Sequence, residues 1–219
     1  MSSLTNNATA AAVLAAFPCY PVPPDGHSPA IDALRNSQSG RGLTVGRDGV
    51  MLIMRRPWLA IDIAITPPLD VHVPFGSVGE GGASLRCGLI PGDLRETILT
   101  HLRAALPNEA AAFVIWHEAT GEFAIDFPVI DEATPSRLVY RTPILTAGWH
   151  RVCDIHSHGT APAFFSSTDD ADDVHATKMA IVFGNLDAAD GPTTASRLCA
   201  GGMFLPMTRN PFAGEPHAE

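Results

Sequence analysis

The feature that most constrains the fold of this chain is a histidine pair at the end of an apolar strand pattern. Residues 151–155, with the sequence RVCDI, are typical of a buried strand, and His156 and His158 follow directly. In a strand, residues i and i+2 point to the same face, so the two imidazoles aim at one point. The seven residues after His158 contain a glycine and a proline, which allow the chain to turn back.

A helix start follows this turn. Ser166 and Asp169 have the spacing of a helix capping box, and the acidic residues after them suit a helix N-terminus. Such a helix holds the Asp169 carboxylate near the two imidazoles. Two histidines and one carboxylate, with a fourth position left for water, are typical of a catalytic zinc site. The pattern H-S-H-x7-S-x-x-D therefore predicts a zinc ion bound by His156, His158 and Asp169.

Each half of this pattern also has a simpler interpretation. An isolated H-x-H pair is often two polar residues at a strand end, and Ser-x-x-Asp is most often a capping box alone. Neither interpretation predicts an H-x-H pair and a Ser-x-x-Asp pattern together at this separation. Asp154 leaves a further alternative open, because strand alternation places it on the face of the two histidines. It is either a partner that orients an imidazole N–H or a competitor of Asp169 as a ligand.

A zinc-bound water needs a base, and Glu109 is the best candidate. Residues 94–105 have apolar residues at helical spacing, Pro107 ends this helix, and residues 111–116 are typical of a strand. Glu109 therefore lies at a helix-to-strand junction. Its competitors, Glu118 and Glu122, flank a predicted hairpin turn and are more simply explained as solvated turn residues.

A helix that ends in Pro-x-Glu, then strands, then H-S-H-x7-S-x-x-D resembles the JAMM (JAB/MPN+) metalloprotease family, from near Leu94 to near Leu205. The resemblance implies zinc ligands at His156, His158 and Asp169. It also implies that Glu109 is the general acid/base and that the Ser166 hydroxyl supports the oxyanion. Many eukaryotic members have proline after the second histidine, where this chain has glycine.

The same resemblance implies an α/β fold, a three-layer JAB/MPN (cytidine-deaminase-like) domain with a mixed sheet. The runs DIHSHG and PAFFSSTDD are similar to the PRTRC system protein A branch of bacterial JAB-like proteins. That branch implies a ubiquitin-like protein as substrate and an E1-like (ThiF-type) enzyme as pathway partner.

Two rival functions remain at this stage. Another H-x-H metallohydrolase, of the amidohydrolase or metallo-β-lactamase type, needs further histidine ligands. Its motif H-x-H-x-D-H is absent, because Thr160 and Ala161 occupy the positions of the Asp and of the last His. The other rival is a non-catalytic or partner-activated MPN scaffold subunit. Such subunits typically lose motif ligands, and this chain retains all of them.

The whole chain is predicted to have three parts. Residues 1–84 form a β-rich region of unknown role, residues 85–210 the JAB/MPN domain, and residues 211–219 a loose tail. In the first part, apolar alternation predicts strands between residues 42 and 65, and the glycine-rich run 76–84 predicts a flexible connection or a mobile loop.

Local patterns after the metal motif predict three further elements. A helix is expected over residues 170–180, and strands over residues 181–186 and 197–205. Gly201 and Gly202 lie inside the second of these strand patterns, where a bulge is the simplest expectation.

Composition excludes several classes of protein. A net charge of −9, with Lys178 as the only lysine and no long basic cluster, argues against a nucleic-acid-binding surface. Four scattered cysteines without a C-x-x-C pair predict reduced thiols and a cytoplasmic protein. The apolar run 8–17 has no basic residue before it, so it predicts a short helix rather than a signal peptide. No run is long enough to cross a membrane, and the oligomeric state is not predicted.

Overall fold

The structure of the protein is a computed structural model, and it describes residues 8–68, 72–207 and 209–214. The chain divides after Gly88 into two compact units. No helix in the described ranges is long and apolar enough to span a bilayer. Residues 215–219 of the predicted tail lie outside these ranges.

The first unit is built on a five-stranded sheet whose strands lie in sequence order. These strands are β1 (Cys19–Pro21), β2 (Gly40–Gly46), β3 (Gly49–Arg56), β4 (Leu59–Ala64) and β5 (Gly82–Leu85). β1 pairs with β2 in parallel, and the remaining pairs are antiparallel. The helices are α1 (Ala8–Ala16) and α2 (Pro29–Arg35). A buried apolar cluster forms the core, with Val22, Ile31, Met51, Ile53 and Val78.

The second unit is built on a six-stranded mixed sheet in the order β13-β12-β11-β10-β6-β7. These strands are β6 (Ala111–His117), β7 (Phe123–Asp126), β10 (Trp149–Ser157), β11 (Lys178–Gly184), β12 (Thr193–Ala200) and β13 (Met203–Pro206). β10 and β11 are parallel, and the remaining pairs are antiparallel. A separate hairpin consists of β8 (Val129–Thr134) and β9 (Arg137–Arg141).

The two helices of the second unit, α3 (Gly92–Ala104) and α4 (Ser167–Asp173), lie on opposite faces of this sheet. On the α3 side, the Arg95 guanidinium lies over the Phe183 ring, 5.8 Å from its centroid. On the α4 side, Lys178 forms ion pairs with Asp173 of α4 and with Asp154 of β10. Asp154 and Phe183 project to opposite faces, because Phe183 is the register partner of Ser157, three positions after Asp154. The predicted three-layer α/β fold is confirmed.

The predicted helix over residues 170–180 is wrong beyond Asp173. Val174 caps α4, and Lys178 already begins β11. Residues 179–184 are all buried, and β11 is paired on both sides, with β10 and β12. Burial in a central strand therefore overrides the helical continuation that the local acidic sequence favours.

The expectations for two glycine-rich runs also need correction. Gly201 and Gly202 do not form a bulge; they make the turn between β12 and β13, and both have positive φ, as a tight hairpin turn requires. In the run 76–84, the last three residues belong to β5, and Val78 is buried in the first unit's core. This segment is therefore not simply a flexible connection.

Replacement of Leu102 by Ala should destabilise the second unit. Leu102 lies on α3 and is fully buried, so Leu102→Ala removes apolar contacts and leaves a cavity, which costs about 2–5 kcal/mol of the free energy of unfolding. Urea denaturation measures this change. The exposed Leu89 provides the control, since Leu89→Ala should change stability by less than about 0.5 kcal/mol. Equal effects of both substitutions would contradict the packing of α3.

Candidate metal centre

The two histidines lie at the end of the central strand β10. This strand is paired with β11 on one side and with β6 on the other, and both ladders reach His156. The backbone N–H of His158 donates to the Phe183 carbonyl (2.9 Å), which extends the ladder beyond the end of β10. The two rings share one face of the strand, with centroids 5.3 Å apart. The structure thus brings His156 and His158 together.

Asp169 reaches the same point through the capping box of α4. One carboxylate oxygen, Oδ2, accepts hydrogen bonds from the Ser166 backbone N–H and the Ser166 hydroxyl, both at 2.7 Å. The other oxygen, Oδ1, lies 3.4 Å from Nε2 of His156. The simpler capping interpretation is therefore compatible with a ligand role, because the two functions use different oxygens.

The donor set suits a zinc ion. His156, His158 and Asp169 each offer a ligand atom, and these atoms lie within 4.8 Å of one another. Ligands about 2.0–2.2 Å from a tetrahedral zinc are roughly 3.3 Å apart, close to the 3.4 Å between His156 and Asp169. Nδ1 of His158 lies 3.2 Å from the Pro162 carbonyl, which only accepts, so this contact leaves Nε2 with a free lone pair.

The electrostatics of His156 also favour a ligand role. Burial lowers the pKa of His156, and it outweighs the opposite effect of the nearby Asp169 carboxylate. The imidazole is therefore neutral at physiological pH, which is the form that binds metals.

Glu109 lies beside this centre. It directly precedes the edge where β6 meets β10: Ala110 donates its N–H to the Ser157 hydroxyl (3.0 Å), and Ala111 is the register partner of His156. Burial and the negative charge of Asp169 raise the pKa of Glu109 to about 7. Its competitors, Glu118 and Glu122, follow the other end of β6, so the structure does not bring them to the site.

The loop after the second histidine fits tightly between two neighbouring segments. Gly159 has a φ of +56°, and a Cβ atom there would lie 2.9 Å from the Pro107 carbonyl oxygen. Proline, whose φ is fixed near −65°, does not fit this conformation, which explains the glycine in this chain. A Cβ at Gly184 would lie 2.3 Å from the Ala163 nitrogen. The first residue of the loop is thus a glycine, and the middle of the loop packs against another glycine at the end of β11.

The interpretation of Asp154 needs correction. Strand alternation places it on the histidine face, as expected, but its carboxylate accepts a hydrogen bond from Lys178 (2.5 Å) instead of contacting an imidazole. It lies outside the group of three possible metal ligands among the described residues. Sequence alone does not reveal this pairing, since Lys178 lies 24 residues further along the chain.

One aromatic neighbour of the site was not predicted. The Phe164 ring meets the His158 ring edge-on, with centroids 4.5 Å apart, while 53% of Phe164 remains exposed. Phe164 therefore covers one side of the His158 imidazole at the protein surface. Phe164 and Phe165 are adjacent in the sequence, which does not indicate which of the two rings contacts His158.

Comparisons with known proteins agree with this geometry in the second unit. The family model for prokaryotic homologs of the JAB domain matches residues 91–198, which include all five predicted site residues. Residues 91–198 belong to the JAB/MPN family. A second model, a domain of unknown function (DUF2016), matches residues 7–86.

Similarity to curated proteins and to solved structures does not extend the JAB assignment. No curated protein matches the chain. Among solved structures, the solution structure of protein DSY2949 from Desulfitobacterium hafniense is similar, with 19% identity and a TM-score of 0.39. That match covers 53% of this chain and 87% of the other.

The raised pKa of Glu109 predicts a specific pH dependence of the metal-free JAB domain. Its carboxyl group holds a proton in the folded state up to about pH 7, whereas the unfolded chain releases it near 4.5. The free energy of unfolding should therefore fall from pH 5 to pH 8, and Glu109→Gln should remove this part of the fall. Urea denaturation with a chelator measures it, with the exposed Glu122→Gln as control. An equally steep fall in Glu109→Gln would contradict the assignment.

Proposed function

We propose that this protein is a zinc-dependent JAMM-type peptidase or isopeptidase that cleaves after the C-terminal tail of a bacterial ubiquitin-like protein. The observation that best supports it is the convergence of a complete donor set, His156, His158 and Asp169, with a carboxyl group titrating near neutrality. A scaffold subunit needs neither feature. The zinc ion, when bound, supplies a Lewis acid for the scissile carbonyl and lowers the pKa of a water molecule.

Glu109 performs the proton transfers in this proposal. In the metal-free protein, burial and the charge of Asp169 raise the pKa of Glu109 to about 7, and a metal bound at Asp169 would lower it towards the ionised form that accepts a proton. Glu109 takes the proton of the attacking water and passes it to the departing amine.

Ser166 is proposed to donate to the oxyanion. In the structure its hydroxyl donates to Oδ2 of Asp169, and the Ser166 backbone N–H donates to the same oxygen. The hydroxyl can therefore turn towards substrate while the backbone N–H continues to hold the carboxylate. Removal of a single donor of this kind lowers kcat by about 10²–10³-fold.

The β8–β9 hairpin is the proposed neighbour of the substrate. The backbone N–H of Glu109 donates to the Thr134 carbonyl (3.0 Å), so the hairpin is joined to the segment that carries the base. Val129 and Ile130 on β8 are 56% and 39% exposed, and they offer apolar surface to a partner protein. An extended tail adds to a sheet edge through main-chain hydrogen bonds.

The PRTRC resemblance extends the proposal to a pathway. We propose that an E1-like (ThiF-type) enzyme acts on the same ubiquitin-like protein, and that this chemistry takes place in the cytoplasm. All four cysteines are free thiols, which agrees with a reducing compartment.

Purified protein should contain about one zinc per chain, and His156→Ala and Asp169→Ala should each abolish its uptake. Each substitution leaves only two of the three protein ligands, which is too few for a stable site. Elemental mass spectrometry after incubation with zinc and dialysis measures the metal. His150→Ala is the control, since His150 pairs with Glu118 away from the site. A folded wild-type protein that takes up no zinc would overturn the metallopeptidase proposal in favour of a scaffold.

Glu109→Gln should lower kcat by about 10²–10⁴ and leave zinc uptake unchanged, because it removes the proton acceptor but no ligand. Ser166→Ala should lower kcat by about 10²–10³. The assay uses β-grasp proteins from the same genome, each fused through its C-terminal residue to a reporter. Glu122→Gln should retain wild-type kcat. If Glu122→Gln and Glu109→Gln were impaired equally, the assignment of the base would fail.

A further inference from the structure

The helix that carries Asp169 is too short to hold itself in place. α4 has seven residues, and isolated helices of this length are marginal in water. Its capping box fixes Asp169 relative to Ser166 but not relative to β10, which carries the histidines. The position of the third ligand therefore depends on contacts between α4 and the sheet.

Arg197 of β12 makes two of these contacts. Its Nη1 donates to Oδ1 of Asp170 (2.5 Å) and its Nη2 donates to Oδ2 of Asp173 (2.7 Å), so one guanidinium spans a turn of α4. The same guanidinium lies between two aromatic rings, with Cζ 3.9 Å from the centroids of Phe165 and Phe204. Arg197 thus contacts the chain on both sides of the Ser166–Asp169 capping box.

Lys178 makes the connection to the histidine strand. Its Nζ donates to Oδ2 of Asp154 (2.5 Å) on β10 and forms an ion pair with Oδ1 of Asp173 (2.7 Å) on α4. The Lys178 side chain is 16% exposed and those of Asp154 and Asp173 are 15% and 7% exposed. The only lysine of the chain therefore joins the element with one ligand to the element with two.

We propose that Arg197 and Lys178, here called the α4 clamp, are positioning residues that set the distance between Asp169 and the two histidines and thereby the affinity for the metal. This inference rests on the proposed function, since it concerns the same zinc site. Partners behind the ligands of a metal site typically change its affinity 10–100-fold when removed. The clamp differs from such partners in contacting the helix of a ligand rather than the ligand itself.

The test compares Lys178→Met and Arg197→Met with Arg141→Met. Methionine keeps an apolar stem of similar length and removes the charge. Arg141 pairs with Asp131 at the surface, so its replacement controls for loss of an ion pair and of one positive charge. In metal-free protein, hydrogen exchange of residues 166–174 should accelerate in both clamp variants and stay at the wild-type rate in the control.

Zinc affinity, measured by competition with a chromophoric chelator, should weaken about 10–100-fold in both clamp variants. The visible spectrum of the cobalt-substituted protein should also change, because it reports the arrangement of the ligands and a purely stabilising residue leaves it unaltered. Arg197→Lys keeps the charge and should restore part of the affinity. Wild-type exchange in residues 166–174, together with zinc affinity within about twofold, would overturn the clamp.

Further outcomes distinguish a positioning role of the clamp from a purely stabilising role, and failure of the clamp from failure of the proposed function. Faster exchange spread evenly over the second unit, with an unchanged cobalt spectrum, would overturn positioning in favour of a structural role. Where a clamp variant does not fold, Asp170→Asn decides, since this half-exposed residue loses only one clamp contact and should weaken zinc severalfold. A wild-type protein without zinc would refute the proposed function, while the exchange measurement still tests the clamp.

Discussion

The pairing of β10 with β11 is the constraint on which the rest of the site depends. Among the described pairs of the second unit's sheet it is the parallel one, and parallel neighbours need a crossover connection instead of a hairpin. Here the crossover leaves β10 after Ser157, passes through the loop and α4, and enters β11 at Lys178. The third candidate ligand, Asp169, therefore comes from the crossover, while His156 and His158 come from the strand end. In open α/β sheets, ligand sites commonly lie outside the carboxyl ends of the strands.

The charged cluster under α4 explains how so acidic a helix packs against a sheet. A buried carboxylate is costly unless it is paired, and Asp173 accepts hydrogen bonds from both Lys178 and Arg197. Burial alone would raise the pKa of Asp173, but these bonds lower it, so the group stays ionised. Loss of either cation leaves Asp173 buried with half of its compensation. Because apolar replacements of a buried ion cluster are often neutral for stability, such a cluster is weak evidence for net stability, and the role proposed for it here is to position α4.

The parts of the site that follow from local chemistry were predictable. Strand alternation placed His156 and His158 on one face, and the capping spacing placed Ser166 and Asp169 at a helix start, as the structure has them. Glu109 was identified because it lies at the junction between a predicted helix and a predicted strand. Their catalytic and metal-binding roles stay predictions.

What failed depends on partners distant in sequence. Asp154 was placed on the correct face, yet its partner is fixed by the β10–β11 register, which no local pattern encodes. Residues 178–180 were misassigned because they belong to β11, and the pairing of this strand on both sides is a property of the folded sheet. The same register creates both the Lys178 bridge and the strand that replaced the predicted helix.

The charges at the centre make cation binding and proton transfer parts of one electrostatic arrangement. Asp169 and the neutral His156 lie together, and the partly buried Glu109 responds to Asp169 by retaining its proton to about pH 7. A divalent cation held by Asp169 reverses the sign of the field at Glu109 and favours its ionised form. In the proposed function, a metal held there would therefore favour the ionised, proton-accepting form of Glu109 at neutral pH. The position of Asp169 would then matter twice, for the proposed ligation and for the pKa of Glu109, and α4, which carries Asp169, is held by the ion pairs of Asp173 with Lys178 and Arg197.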